Sequence, residues 1–394
     1  MSEKDIFFNH LAQTTPYANG LEIDFAKEMH IFDVEGNAYL DLVAGVSACT
    51  LGHSNQKIIN AITTQANKYL HVMVYGEYIQ SPQNKLAQLL AQQLPSSLNC
   101  TYFVNSGCEA IEGAMKLAKR VSGKSKIFSF KNSYHGSTHG ALSIMGKEHY
   151  KSKYRPLLPE CYQLNYDCIG SIQKIDNKTA AVVVEPIQGA TGFKVPSTNW
   201  LKELKKRCEK VGALLIFDEI QTCFGRTGKL FALETFDVVP DILCIAKGMG
   251  GGMSIGAFIS SKQNMSLLKN NPMLGHITTF GGHPLNCAAS LATLKVLLKD
   301  KTLMSSVLTK EQLFRKHLVH PKIKHVSGFG LMLAIELESE KDCKAFVNSG
   351  YDFGIITFFF LFNKKSVRIS PPLIISENQI IESCSIIKKI LDKI

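Results

Sequence analysis

The sequence predicts an α/β fold, a large domain with a mainly parallel central sheet plus a smaller α+β domain. Three observations predict it. Residues 180–185, 213–218 and 241–246 form continuous apolar runs, and stretches with helical spacing, such as residues 199–211, lie between runs of this kind. Runs without polar alternation suit strands buried on both faces, and strands alternating with helices imply parallel pairing. The length, 394 residues, exceeds what one simple core accommodates. After about residue 295 the character changes to helical segments, a strand near residues 330–338 and a last helix near 377–392. The division expected is an N-terminal segment, 1–50, that joins the small domain, a large domain over 51–295 and a small domain over 296–394.

Taken in order, the strand-like stretches 21–33 and 38–43 flank Glu35-Gly36-Asn37, a hairpin turn. Helical periodicity follows at 56–70 and 81–94. Residues 101–104 then read as a strand, 109–121 as a helix and 126–130 as a strand. The apolar run at 355–362 ends at Asn363-Lys364-Lys365. It is shorter than the roughly 18 residues of a membrane helix and reads as a buried strand.

Composition excludes several classes. Net charge is +11, but only six of the 44 basic residues are arginine and the lysines are dispersed. That distribution argues against nucleic-acid binding, which favours clustered charge and arginine forks. Eleven cysteines occur with no C-x-x-C pair and no Cys/His cluster at zinc spacing. With no basic, then apolar, N-terminal leader in view, they point to reducing cytosol and to no metal site.

Three predicted strand ends carry ionisable groups: Glu185, Asp218 and Lys247. In open α/β sheets ligands sit beyond the carboxyl ends of strands, and buried ionisable groups in a cleft are where chemistry concentrates. Lys247 precedes Gly248-Met249-Gly250-Gly251-Gly252, where a flat ligand can approach the backbone. A lysine in an apolar pocket has a lowered pKa and can form a Schiff base. Asn105-Ser106-Gly107-Cys108-Glu109-Ala110 follows a strand and opens a helix, an arrangement that favours a phosphate, although Ser106 also reads as an ordinary N-cap. Tyr134-His135-Gly136 places an aromatic ring beyond a strand, suited to stacking on a heterocycle or to core packing.

Together these stretches resemble the class III family of pyridoxal-5'-phosphate (PLP) aminotransferases, of the acetylornithine/ornithine type. The resemblance also rests on Glu185-Pro186-Ile187-Gln188-Gly189, Asp218-Glu219-Ile220-Gln221, Gly225-Arg226-Thr227-Gly228, Thr278-Thr279-Phe280-Gly281-Gly282-His283-Pro284 and Arg368-Ile369-Ser370-Pro371-Pro372, in the family's order over about residues 20–390. It implies the PLP-dependent transferase fold type I. It also implies that Lys247 holds the cofactor and moves the proton, Asp218 pairs with the pyridine nitrogen, and Gln221 bonds the ring hydroxyl. Tyr134 would stack on the ring, the backbone of Gly107 and Cys108 would hold the phosphate, and Glu185 would line the site. Thr279 would reach the phosphate of a neighbouring subunit, making the enzyme a homodimer with a shared site.

The reaction so implied is ping-pong transfer of an amino group from an amino-acid or ω-amine donor to an oxo-acid acceptor such as 2-oxoglutarate. Arg368 matches the family's carboxylate-binding arginine. Two positions depart from the ornithine-type pattern: Ser137 stands where those members often have arginine, and Ala190 where they have a glutamate that pairs with the C-terminal arginine. Arg368 is therefore expected to be unpaired. Alternatives of the same fold are an amino-acid racemase, epimerase or mutase, or a catalytically silent binding protein. His135 and His283 read as hydrogen-bonding supports, and Arg226 as either a loop support or a surface residue.

Overall fold

Successive residues of a strand point to opposite faces, so a run with no polar member requires cover on both sides. The computed structural model, which describes residues 1–394, supplies it. Three strands near the N-terminus, β1 (Ile23–Lys27), β2 (His30–Asp33) and β3 (Ala38–Asp41), form an antiparallel meander. The central sheet holds β4 (Cys100–Val104), β5 (Lys126–Phe130), β6 (Cys161–Leu164), β7 (Thr179–Val184), β8 (Leu214–Asp218), β9 (Ile242–Ile245) and β10 (Gly256–Ser260). Their order is β4-β10-β9-β8-β7-β5-β6, with only β10 running against its neighbours.

The two faces of this sheet enter two different cores. Val182, Val184, Leu215, Phe217, Leu243 and Ile245 pack with Trp200, Leu201 and Leu204 of the helix Thr198–Val211. Their neighbours in sequence, Ala181, Val183, Leu214, Ile216, Ile242 and Cys244, pack with Ala110, Ile111, Ala114 and Met115 of the helix Gly107–Ser122. Each fully buried aliphatic side chain contributes about 1.5–3 kcal/mol, and the sheet supplies such side chains to both cores. Because β7, β8 and β9 are parallel, Glu185, Asp218 and Lys247 emerge at the same edge.

The C-terminal part holds β11 (His325–Phe329), β12 (Met332–Glu336), β13 (Ile355–Ile356), β14 (Phe358–Phe359) and β15 (Ser366–Ile369). Strands β11-β12-β15-β14 form an antiparallel sheet, while β13 leaves it to pair in parallel with β3. The boundary expected near residue 295 falls inside the helix Pro284–Lys299. We propose its C-cap, Asp300, as the point of division.

Two expectations are corrected. Residues 21–33 are a hairpin rather than one strand: Glu28 turns the chain with φ 53°, Lys27 pairs with His30, and Phe25 stacks on Phe32 at 4.3 Å. The run 355–362 is not one buried strand. It splits at Thr357 between two sheets, and Phe358 and Phe359 remain 42% and 37% exposed. The apolar character there serves the lining of a cavity.

Gly113 presses its helix onto β10, and a Cβ at that position would collide with the ring of Phe258, itself fully buried. Gly113→Ala gains about 1 kcal/mol of helix propensity but overpacks the interface by roughly 1–3 kcal/mol. Urea denaturation of the variant is expected to show a lowered midpoint, with recovery when Phe258→Leu is added to make room.

Candidate active site

A cavity of about 590 Å³ opens at the carboxyl edge of the central sheet. Eight of the nine residues singled out from the sequence line it: Gly107, Cys108, Tyr134, Glu185, Asp218, Gln221, Lys247 and Arg368. The ninth, Thr279, is exposed and lies outside it.

Asp218 ends β8, and its carboxylate is fixed from two sides. His135 Nδ1 stands 2.7 Å from Oδ2, and the Ile220 N–H donates to Oδ1 at 3.1 Å. Both side chains of the His135–Asp218 pair are buried, and His135 Nε2 has no partner. Glu185, one residue beyond β7, accepts the Tyr134 N–H at 3.0 Å and the Gly189 N–H at 2.8 Å. It thereby ties two cavity loops together. Burial pushes its carboxyl up to about 7; His135 opposes the shift and Asp218 adds to it.

Lys247 lies on the 3₁₀ turn Lys247–Gly250 directly after β9. Burial lowers the pKa of its amine, with Asp218 acting in the opposite direction. Its φ is +46°, a left-handed conformation that costs a non-glycine residue about 1–2 kcal/mol. Gln221 donates to Ser47 Oγ at 3.3 Å. Ser47 belongs to a four-residue left-handed turn, Ala44–Ser47, with φ values of 53°, 57°, 58° and 69°. Asp41 Oδ1 accepts the N–H groups of Val43 and Ala44 and starts this turn.

The helix Gly107–Ser122 begins at the cavity wall. Ser106 caps it by accepting the Glu109 N–H at 3.2 Å, while the first-turn N–H groups of Gly107 and Cys108 have no intrahelical acceptor. A Cβ on Gly107 would stand 2.7 Å from Ile220, so the backbone is close to its neighbour there. Free N–H groups at a helix N-terminus, a fixed buried carboxylate and a lysine of lowered pKa on one cavity are the donor set that a phosphorylated pyridine aldehyde requires. The residues present therefore fit PLP.

Arg368 lies on β15 and reaches the cavity from the C-terminal sheet. Its guanidinium lies near the rings of Phe193, 4.8 Å away, and Phe360, 4.4 Å away, which themselves meet edge to face at 4.9 Å. Nη2 donates to Gly189 O at 3.1 Å, while Nε and Nη1 are buried without a partner. No carboxylate pairs with it, and Ala190 adjoins Gly189 in the wall. Burial and nearby Arg226 both push its pKa down.

Arg226 is not a surface residue. It is fully enclosed and donates to the carbonyls of Ser370 and Pro371, tying its loop to the segment after β15. His135 supports Asp218 as expected, whereas His283 lies outside the cavity and accepts the Leu285 N–H at 3.3 Å. Sequence reasoning missed the turn Ala44–Ser47, which brings Val46 and Ala48 to the wall, and the rim residues Phe358, Phe359 and Leu361. The signals available were Gly45 four residues after the acidic strand end Asp41 and the high apolarity of the late run.

Comparison with known proteins agrees with this geometry. Residues 14–391 match the family model described as aminotransferase class-III. The acetylornithine aminotransferase of Methanopyrus kandleri is 37% identical over 353 residues, covering 89% of each chain. The putrescine aminotransferase of Pectobacterium atrosepticum is 38% identical over 381 residues, covering 92% of this chain and 81% of that one. An ornithine aminotransferase structure from Toxoplasma gondii, with partial occupancy of PLP at its active site, superposes with a TM-score of 0.91 at 29% identity, over 99% of this chain and 94% of that one.

The Glu185 carboxyl has a pH signature. Its folded pKa of about 7 lies above the ordinary 4.5, so between these values the folded chain holds a proton that the unfolded chain releases. The associated stability is present below about pH 4.5 and is lost as pH rises through about 7. Denaturation measured from pH 5 to 7.5 is expected to show wild type losing stability. Glu185→Gln should flatten that slope by at most about 1.4 kcal/mol per pH unit.

Proposed function

The chain belongs to the class-III aminotransferase family, whose members depend on PLP, and from that premise we propose that Lys247, Asp218, Glu185 and Arg368 carry amino-group transfer in this cavity. The observation that carries the reading is the convergence of a lysine of lowered pKa and a fixed buried carboxylate on one cavity. The relatives named are aminotransferases, which sets aside the racemase, mutase and silent-scaffold readings.

Bound PLP would supply an electron sink for the pair left on the substrate Cα when its proton departs. Lys247 Nζ would hold the cofactor between turnovers. With its pKa lowered by burial, it would take the Cα proton and give it back. Asp218, oriented by His135, would pair with the protonated pyridine nitrogen, and Gln221 would bond the ring hydroxyl. Gly107 and Cys108 would bind the phosphate through their N–H groups, and Tyr134 would cover a ring face. Glu185 holds the Tyr134 and Gly189 loops in register with the lysine. Arg368 would receive a substrate carboxylate. The donor would be a primary amine at the end of a carbon chain, as in the acetylornithine and putrescine of the relatives' names, with the acetylornithine type leading. The enzyme would keep the amino group between two half reactions, so kinetics should be ping-pong.

A homodimer is part of the proposal. Leu70, Ile79, Met273, Leu274, Ile277 and Phe280 are exposed on two segments that pack together through His71 and Phe280, with ring centroids 4.9 Å apart, and through the Gln83–Gly282 hydrogen bond of 2.8 Å. An apolar face of this kind marks an interface, and Thr279 lies exposed on it, where a partner's phosphate site would come within reach. We place the enzyme in the cytosol, consistent with eleven unpaired cysteines. No helix is long and apolar enough to cross a membrane.

Two measurements test these assignments. Purified protein mixed with PLP is expected to show the visible band of lysine-bound cofactor, and an amino donor should bleach it. Lys247→Ala should show neither change; a normal band in that variant would refute the assignment. Light scattering after size exclusion should give twice the chain mass. Ile79→Asp is expected to shift the protein toward monomer and lower activity at least tenfold, and Thr279→Ala to weaken PLP retention without changing the mass.

A further inference from the structure

The Ala44–Ser47 turn is left-handed at all four residues and lies against the cofactor end of the cavity. A Cβ on Gly248 would meet both Thr50 Oγ1 and Ser47 O, so this stretch of chain packs on the backbone that presents Lys247. Ser47 Oγ accepts from Gln221 Nε2 at 3.3 Å, while Gln221 Oε1 faces Gly189, where an added Cβ would collide with it. The amide is thereby oriented. One Nε2 hydrogen is taken by Ser47, and the second is left for an acceptor in the cavity that Gln221 lines.

A left-handed stretch with three non-glycine residues persists only where its surroundings fix it. The anchor is Asp41, the buried last residue of β3. Its Oδ1 accepts the Val43 N–H at 2.7 Å and the Ala44 N–H at 2.9 Å, and its Oδ2 stands 2.8 Å from His53 Nε2. Both carboxylate oxygens are in use, so a rotation that released one would break the contacts of the other. His53 is placed independently of Asp41. Its N–H donates to Glu28 O at 2.8 Å, and its carbonyl accepts the Glu28 N–H at 2.9 Å. Hydrogen bonds to Asp41 and then to Cys49 push the His53 pKa up to about 10 against its burial, so the ring is protonated at neutral pH. Arg226 is a further cation that feels the charge of Asp41. The turn thus hangs on an ion pair, whose hydrogen bonds are stronger than those between neutral groups.

From this chain of contacts we infer that Asp41 and His53 are positioning residues of the reaction: through the Ala44–Ser47 turn and Ser47 Oγ they aim the Gln221 amide at the ring hydroxyl of the cofactor. The inference rests on the aminotransferase reading, which gives Gln221 that partner. Neither residue lines the cavity, and each acts through the turn. Every link lies within one chain, so none depends on what a second subunit adds to the site.

The absorption maximum of the lysine-bound cofactor reads this contact, because a donor on the ring oxygen changes the electron density of the ring. Gln221→Leu is expected to move the maximum and to speed loss of PLP on dilution roughly tenfold. Ser47→Ala and His53→Leu should move the maximum in the same direction. His53→Gln, whose amide N–H can still reach Asp41, should restore the wild-type position. In the Gln221→Leu background, His53→Leu should add less than about twofold to the rate of PLP loss, because both changes act on one contact. A merely structural His53 would add its full effect in either background and leave the band in place. Ser47→Ala keeps the ion pair, so it tests the last link even where His53→Leu does not fold. A wild-type band position in Ser47→Ala, or additive effects in the double variant, overturns the inference while leaving aminotransfer intact. A band unmoved in Gln221→Leu has the same meaning, since Gln221 is then not on the ring hydroxyl. If the wild type forms no band, the aminotransferase reading itself falls, and this inference with it.

Discussion

Burial of the central sheet on both faces is the constraint on which the rest depends. Along β7, β8 and β9 no polar side chain interrupts the strands until their carboxyl ends, apart from Thr179 at the start of β7 and the weakly polar Cys244. Ionisable groups are therefore excluded from the sheet and admitted only at its edge, where Glu185, Asp218 and Lys247 follow one another across three parallel strands. The pKa shifts there have the same origin. Burial that stabilises the sheet also raises the carboxyl of Glu185 and lowers the amine of Lys247. Fold stability and the reactivity of the site are two results of one packing arrangement.

The second determinant comes from the other part of the chain. Arg368 is delivered by β15, whose neighbours are β12 and β14. A guanidinium beside a touching pair of aromatic rings makes favourable cation–π contacts, yet two of its nitrogens remain buried without acceptors. Buried donors left unmade cost about 1–3 kcal/mol each. Phe193 and Phe360 offset part of that cost, and an incoming carboxylate would offset more. The site thus has a cofactor end built from sheet ends and a substrate end built from C-terminal strands, with Gly189 touching both: its N–H donates to Glu185 and its carbonyl accepts from Arg368.

How much of this was legible in sequence follows from the kind of signal each feature leaves. The parallel strands and their terminal acids were legible because complete burial writes itself as an unbroken apolar run. The hairpin inside 21–33 was not, because its turn places Glu28 at positive φ without the glycine or asparagine that usually marks one. The run 355–362 misled because apolarity reports contact with carbon and does not distinguish a core from a cavity rim. Arg226 gave no sign of its enclosure, since its acceptors are the carbonyls of Ser370 and Pro371, some 145 positions away. Thr279 was picked out by resemblance alone; no property of a single chain explains an exposed threonine outside the cavity.

The turn Ala44–Ser47 supplies the last link between strain and position. Three of its four residues are not glycine, so its left-handed path costs about 1–2 kcal/mol for each. That cost is met by specific ties. Asp41 accepts the Ala44 N–H and that of Val43 just before the turn, the Ser370 N–H donates to Leu42 O at 2.7 Å, and Ser370 Oγ donates to Val43 O at 3.2 Å. A Cβ on Gly248 would lie 3.4 Å from Ser47 O, which puts this turn directly against the strained turn that presents Lys247. Two segments held away from their preferred conformations thus brace one another. One aims the lysine, and the other holds Gln221 through Ser47. Strain at such positions persists only where surrounding structure over-determines it. The ties from Asp41 and Ser370 come from β3 and the end of β15, so the strands at both ends of the chain fix the geometry at the carboxyl edge of the central sheet.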